Sequence, residues 1–299
     1  MAKVTDEAFN LVQNKIASII GSPSGTVFDL GYNLAVASLP AVQGAKVVGQ
    51  DLNLVIQDVN LAIEHQTGLS TGLAIYNRSQ LIETDDLTEV SAKVDIAYAS
   101  RTTAGVGKLQ ITTSDNYVNG STWKTEHKYK VRFDWGSNAE FRGWANLGGF
   151  ITIGGSMTGG SGSSQTSSWT NIFQAIGILV FSGNSAIQQN QSRNGSFPNG
   201  GLYNLLQNGQ TGVNAGIAFR ILASDANYTS NSFTIYIRPY GGNNVLTATG
   251  FEIEYVLLDP HVATGQGPDL VDGTLGFSVN TYYSYNKTPT ATQLGSTLG

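Results

Sequence analysis

Apolar residues recur at helical spacing through the first third of the chain and at alternate positions through much of the rest. Between residues 5 and 20, Phe9, Val12, Ile16 and Ile19 fall on one helical face, and Gly21 then Pro23 end the run. The stretch 51–66 sets Leu52, Val55, Ile56, Val59, Ala62 and Ile63 on a single stripe. Gly68 stands where a left-handed residue closes such a helix. The span 25–44 between these helices, with Tyr32 and Pro40, predicts a loop with little regular structure. A third stretch, 85–99, predicts a helix through Leu87, Val90, Val94 and Tyr98, over a competing strand-like alternation in 94–98.

From about residue 106 the period changes to two. Tyr129, Val131, Phe133 and Trp135 alternate with Lys128, Lys130, Arg132 and Asp134, the pattern of a half-buried antiparallel strand. Further strands are predicted at 149–153, 176–181, 217–222, 233–237, 251–257 and 274–282. Glycine- and asparagine-rich turns separate nearly all of them. The span 154–168 reads as a flexible loop, 169–176 as a short helix begun by Ser167 or Ser168, and 201–206 as a turn or brief helix. No internal repeat is present. The expected fold class is mainly β: a helical N-terminal attachment or oligomerisation module over 1–105, then an antiparallel β-sandwich or jelly-roll-like domain over 106–299.

Composition sharpens this picture. Of the 299 residues only 12% are charged, against roughly 25% in an average soluble domain. Glycine alone contributes 36 residues, which suits strands joined by tight turns. Hydrophobic content of 40%, with 10% aromatics, is enough to build a core. A net charge of −5 with scattered basic residues argues against a nucleic-acid partner, which would call for clustered Lys and Arg. The absence of cysteine excludes disulfides, thiolate metal sites and thiol nucleophiles. The opening MAKVTDEAF has no apolar signal-peptide core, and no run of about 18 apolar residues occurs, so neither secretion nor membrane insertion is expected. The Asn-x-Ser/Thr triplets at Asn77, Asn119, Asn190, Asn194, Asn227 and Asn286 are therefore read as unmodified.

Chemistry-bearing motifs are sparse. His65, His127 and His261 lie in different regions; His65 is expected on a polar edge at the end of the second helix. No nucleophile elbow, zinc-protease motif or Walker sequence occurs, and GGSMTGGSG reads as a connection, not a phosphate cradle. Glu252 and Glu254 share a strand face at a spacing of roughly 6–7 Å that acid–base chemistry could use, although solvent-facing strand charge is the commoner meaning. The loop 259–272, with Asp269 and Asp272, offers carboxylates either to calcium or, in the favoured reading, to turn capping. Trp123, Trp135, Trp144 and Trp169 could stack on sugars, with core packing the default and Trp135 assigned to the core. Tyr282, Tyr283 and Tyr285 are candidates for a surface or receptor contact. No catalytic, metal or cofactor-binding residue is assigned, and no cofactor is expected.

Three blocks in order carry a resemblance: GYNLAVAS followed by DLNLVIQDVNLAIEHQTG; then VRFDWGSNAEFRGWANLGGFITIGGSMTGGSGSSQTSSWTNIFQAIGILVFSG; then GLYNLLQNG. Together they resemble virion structural proteins of tailed phages, notably the neck-, tail- or fibre-associated proteins of cyanobacterial myophages. The resemblance implies a homo-oligomeric, non-enzymatic particle component, assembled in the host cytoplasm and contacting other phage structural proteins. A host-surface glycan is a further possible partner, which makes a receptor- or carbohydrate-binding fibre module the alternative and a glycan hydrolase or lyase the more distant one. On this view Leu52, Val55, Ile56, Val59 and Ile63 are an assembly face; the competing reading is that they cover the β domain's own core.

Overall fold

A computed structural model describes residues 3–21, 31–67, 69, 71–77, 79–101, 110–183, 185–189, 195–207, 216–225, 227–260, 270–283 and 289–298. Within them the protein is mainly β with a helical N-terminus. The chain divides into two compact units. One comprises Met1–Gln110, Arg142–Gly149 and Tyr283–Lys287; the other comprises Ile111–Phe141, Phe150–Tyr282 and Thr288–Gly299.

The first unit is built on α1 (Asp6–Ile20), α2 (Gly49–Thr67) and α3 (Thr84–Ala99). Thr5 opens α1 by accepting from the Ala8 amide at 3.2 Å. Glu83 and Asp86 form a reciprocal capping box at the start of α3. The buried residues of α3 are Leu87, Val90, Val94 and Ala97, a helical spacing, whereas Ile96 and Tyr98 are exposed. Burial therefore settles 94–98 as helix. Phe9 and Ile16 of α1, the α2 stripe, and Val90 and Val94 of α3 merge into one largely aliphatic core.

The extended segments 31–42 and 71–77 run beside these helices without joining either sheet. Side chains supply hydrogen bonds that a ladder would otherwise make. Asn53 donates to the Tyr76 carbonyl at 2.8 Å and accepts from its amide at 2.9 Å. Asn10 does the same at Ala41, at 3.0 and 2.7 Å. Buried Asp58 accepts from the Ala37 and Ser38 amides, both at 2.9 Å, and from the Ser38 hydroxyl at 2.6 Å.

The second unit contains two five-stranded sheets. Its strands are β1 (Gln110–Asn119), β2 (Glu126–Asp134), β3 (Phe150–Thr158), β4 (Ile178–Ser182), β5 (Ala186–Gln189), β6 (Ile217–Leu222), β7 (Ser232–Tyr240), β8 (Gly250–Leu258), β9 (Thr274–Tyr283) and β10 (Thr290–Leu298). The first sheet runs β1-β9-β3-β4-β5 and the second β10-β2-β8-β7-β6. Their inner faces meet through a sandwich of rings. Phe277 of β9 stacks on Tyr255 of β8 at 4.3 Å between centroids, and Tyr117 of β1 stacks on Tyr129 of β2 at 4.0 Å. Phe233 of β7 lies 5.9 Å from Phe277.

Three further helices are present: α4 (Asn138–Asn146), α5 (Ser164–Ile176) and the single turn α6 (Leu202–Leu205). Several sequence expectations are corrected here. The span 154–168 is not one loop: β3 extends to Thr158 and α5 starts at Ser164, capped by the Ser163 hydroxyl and not by Ser167 or Ser168. Its glycines have two different causes. Gly159, Gly160 and Gly162 adopt positive φ and make the turn. Gly155 lies inside the strand because a Cβ there would come within 2.7 Å of the Phe173 ring on α5. Helix α4 and strands β1, β5 and β10 were not anticipated; α4 is short and interrupted by Gly143, and β10 has no apolar period.

Candidate functional site

The acidic pair on β8 sits in a cluster of ion pairs with Lys130, Arg132 and Arg238. Alternation sends Phe251, Ile253 and Tyr255 inward and leaves Glu252 and Glu254 facing outward between β2 and β7. Register sets Arg132 and Arg238 on either side of Glu252, and Lys130 and Tyr236 on either side of Glu254. Arg132 donates to Glu252 Oε1 from Nε at 3.1 Å and from Nη2 at 2.7 Å. Lys130 Nζ reaches the other oxygen at 2.6 Å. Arg238 Nη1 bonds Glu254 at 2.6 Å.

Aromatic rings complete the array. The Arg132 guanidinium lies over Tyr240 at 3.7 Å, and that of Arg238 over Tyr236 at 4.6 Å. Partial burial tends to raise the Glu252 pKa, but the hydrogen bonds from Lys130 and Arg132 outweigh it and hold the carboxyl below the ordinary range. Glu252 is thus a poor proton donor at neutral pH. What the array does chemically is cross-link three strands on a solvent-facing surface.

Other acidic candidates are engaged in capping. Asp272 accepts from the Ser161 amide at 2.8 Å and from the Thr166 hydroxyl at 2.6 Å, closing the turn between β3 and α5. Buried Asp259 accepts from Trp169 Nε1 at 3.1 Å and from the Gln165 amide. Residues 261–269, with His261 and Asp269, lie outside the described residues, as do Asn190, Asn194 and Asn286. Among the described residues no group of three or more His, Asp or Glu side chains could hold a metal ion, and no helix is long and apolar enough to cross a membrane.

The histidines are placed differently from expectation. His65 is buried in the last turn of α2 and not on a polar edge. His127 is fully buried on β2; burial lowers its pKa to about 4, and its Nε2 lies 3.3 Å from the Tyr117 hydroxyl. A second buried polar contact joins Tyr129 to Asp115, whose other oxygen accepts from Gln293 of β10 at 2.9 Å. Nothing in the sequence marks these pairs, because their members come from separate strands.

The residues named for assembly or receptor contact are dispersed. Leu52, Val55, Ile56, Val59 and Ile63 are all buried in the core of the first unit, packed with α1 and α3. They form neither a free docking face nor a cover for the β domain, because a three-helix unit must bury its own stripe. The exposed side of α2 instead borders a groove of about 510 Å³, walled by Ala35, Ala37 and Ile75. Tyr282 is half-buried and stacks flat on Phe150 at 4.7 Å. The Tyr283 side chain and Tyr285 lie outside the described residues. All four tryptophans are buried, so none offers a sugar-stacking face.

One surface was missed altogether. Among the described residues strand β10 pairs only with β2, at the edge of its sheet, and residues 292–298 are exposed without alternation. Its sequence, TATQLGSTL, has no charge and no proline. The other edges differ: β1 carries the inward-pointing Asp115, β5 has four residues, and β6 is bridged at Arg220 by Ser196. No protein-family model matches the chain, and no curated protein or solved structure does so either.

Proposed function

We propose that this protein is a non-enzymatic structural component of a tailed-phage particle, located in the neck, collar, tail, baseplate or a fibre, that works through assembly and surface contact. The observation that carries the reading is the uncovered, uncharged edge strand β10. Proteins that act alone usually cover such an edge or place charge on it, because its open amides and carbonyls invite another strand. The resemblance of the three sequence blocks to virion proteins supports the choice of particle. The engagement of Glu252 and Glu254 in ion pairs supports a mechanical role for the face where acid–base chemistry was conceivable.

Mass spectrometry of purified virions tests this directly. The chain is expected as a stoichiometric component that survives density-gradient purification. Its absence from intact particles would refute the proposal.

A further inference from the structure

A second surface, separate from the β10 edge, points to a partner. We propose that the outer face of the β1-β9-β3-β4-β5 sheet packs against the same face of a second copy of this chain, forming a two-fold dimer. This deepens the assembly reading and rests on it for the presence of several copies.

The two sheets turn opposite characters to the outside. The outer face of the second carries Lys128, Lys130, Arg132, Arg238, Glu252 and Glu254. On the first sheet Ile151, Ile153, Phe277 and Val279 point inward and are buried, so the alternate positions face out. None of the described outward side chains of its five strands is charged. Register sets them in rows across β9, β3 and β4. Tyr282 lies beside Phe150, Asn280 beside Thr152 and Val180, and Ser278 beside Gly154 and Ile178.

Several features select a second copy as the occupant. A two-fold contact sets a face against itself, so a charge near the axis meets its own sign. The uncharged face escapes that penalty. Its polar side chains are Ser, Thr, Asn and Gln, each of which both donates and accepts hydrogen bonds, so the face is complementary to itself. Apolar surface adds to this: Val118 is 70% exposed, Ile187 47% and Ile178 40%. A second sheet would take these side chains out of water, and depletion of charge marks the centre of protein interfaces. The size is also adequate. Strand spacing of about 4.8 Å and a rise of about 3.3 Å per residue give the five strands a flat area of roughly 600 Å². Side-chain relief raises the accessible area toward the roughly 800 Å² per partner of a stable interface. The aromatic pair argues against a glycan as the occupant. Phe150 and Tyr282 stack on each other at 4.7 Å with planes 10° apart, so each spends a ring face within the pair.

Light scattering of the full-length protein across a dilution series tests the contact. Val118, Ser156 and Ile187 are exposed and spread over β1, β3 and β5. Val118→Lys/Ser156→Lys/Ile187→Lys therefore places charge across the face without touching the core. It is expected to weaken dimerisation about tenfold or more, and mixing with the matching glutamate variant is expected to restore a mixed dimer. Thr292→Glu, which puts charge on the β10 edge opposite Arg132, is expected to leave the dimer constant within about twofold. A monomeric wild type, or a dimer lost in Thr292→Glu but kept in the lysine variant, would overturn the proposal.

The cysteine-free chain allows a second readout that does not depend on charge. Ser156→Cys is expected to react with a maleimide about tenfold more slowly in the dimer than in the diluted monomer, because the thiol loses its exposure. Thr292→Cys is expected to react equally in both. An unprotected Ser156→Cys in a protein that dimerises would place the contact elsewhere. Retention of a monomeric wild type on a dextran gel, abolished by the lysine variant, would assign the face to a glycan and defeat the dimer. Each of these outcomes leaves virion detection, the test of the broader reading, unaffected.

Discussion

The two units satisfy the same physical demands with different materials. In the helical unit the core is mostly aliphatic, and the extended segments are held by the side chains of Asn10, Asn53 and Asp58. In the β unit the core is a stack of aromatic rings, and backbone groups are met by long antiparallel ladders. A ladder spreads its hydrogen bonds over many residues, so loss of one side chain leaves it intact. The helical unit concentrates several bonds on single side chains. The β unit should accordingly be most sensitive to loss of ring packing, and the helical unit to loss of a polar tether.

The largest expected effect is in the ring stack. Phe277 lies within 6.2 Å of Tyr117, Tyr129, Tyr255, Phe173 and Phe233, measured between centroids. Phe277→Ala should destabilise the β unit by about 4 kcal/mol, combining lost transfer energy with a cavity that flat neighbours fill poorly. Urea unfolding followed by near-ultraviolet dichroism should show the loss. Asp58→Ala should come next, at about 3 kcal/mol, because a buried amide, a partly buried amide and a buried hydroxyl lose their acceptor. Ellipticity at the helical wavelength should lose stability while the aromatic signal of the β unit does not. If Asp58→Ala unfolded both signals together, the units would not be separable in this way.

How much of this could be read beforehand depends on whether a residue's role shows as a local period. The α2 stripe and the alternation of β2, β8 and β9 were legible because each element buries one face. The use of the stripe was not, since Leu52–Ile63 look the same whether they meet another helix, a sheet or another molecule. Strand β10 escaped because it buries neither face and so carries no period at all. Gly155 was misleading: it is a strand residue thinned to admit the Phe173 ring, yet it reads as part of a turn. The face shared by Glu252 and Glu254 was visible, as were the alternating Lys128, Lys130 and Arg132. Their union was not, because 120 residues separate Arg132 from Glu252 and only the sheet register joins them.

Burial of His127 gives the β unit an acid sensitivity that the comparison can exploit. Its pKa is about 4 when folded and about 6.5 in an unfolded chain. Between these values the unfolded state takes up a proton that the folded state refuses. The contribution of neutral His127 is therefore complete above about pH 6.5 and declines as pH falls toward 4, by up to about 3 kcal/mol. His127→Gln should flatten this part of the stability profile, from a plateau lowered by loss of the Tyr117 contact. A wild-type profile that stays flat from pH 6.5 to 4.5 would contradict the assignment.

The smallest effect is expected on the outer face, where the charged array is most conspicuous. Glu252 receives both Lys130 and Arg132, but all three side chains keep contact with water, and solvent screens their attraction. Glu252→Gln should cost about 0.5–1 kcal/mol, and the difference should shrink in high salt. Because the folded pKa of Glu252 is depressed, its stabilisation is present above about pH 4.5 and fades as pH falls through the lower folded value. The acid response of this face thus lies below that of His127, and the two variants should separate along the pH axis. A Glu252→Gln cost as large as that of Phe277→Ala would place the stability of the β unit in its surface ladder instead of its ring stack, reversing the contrast with the helical unit.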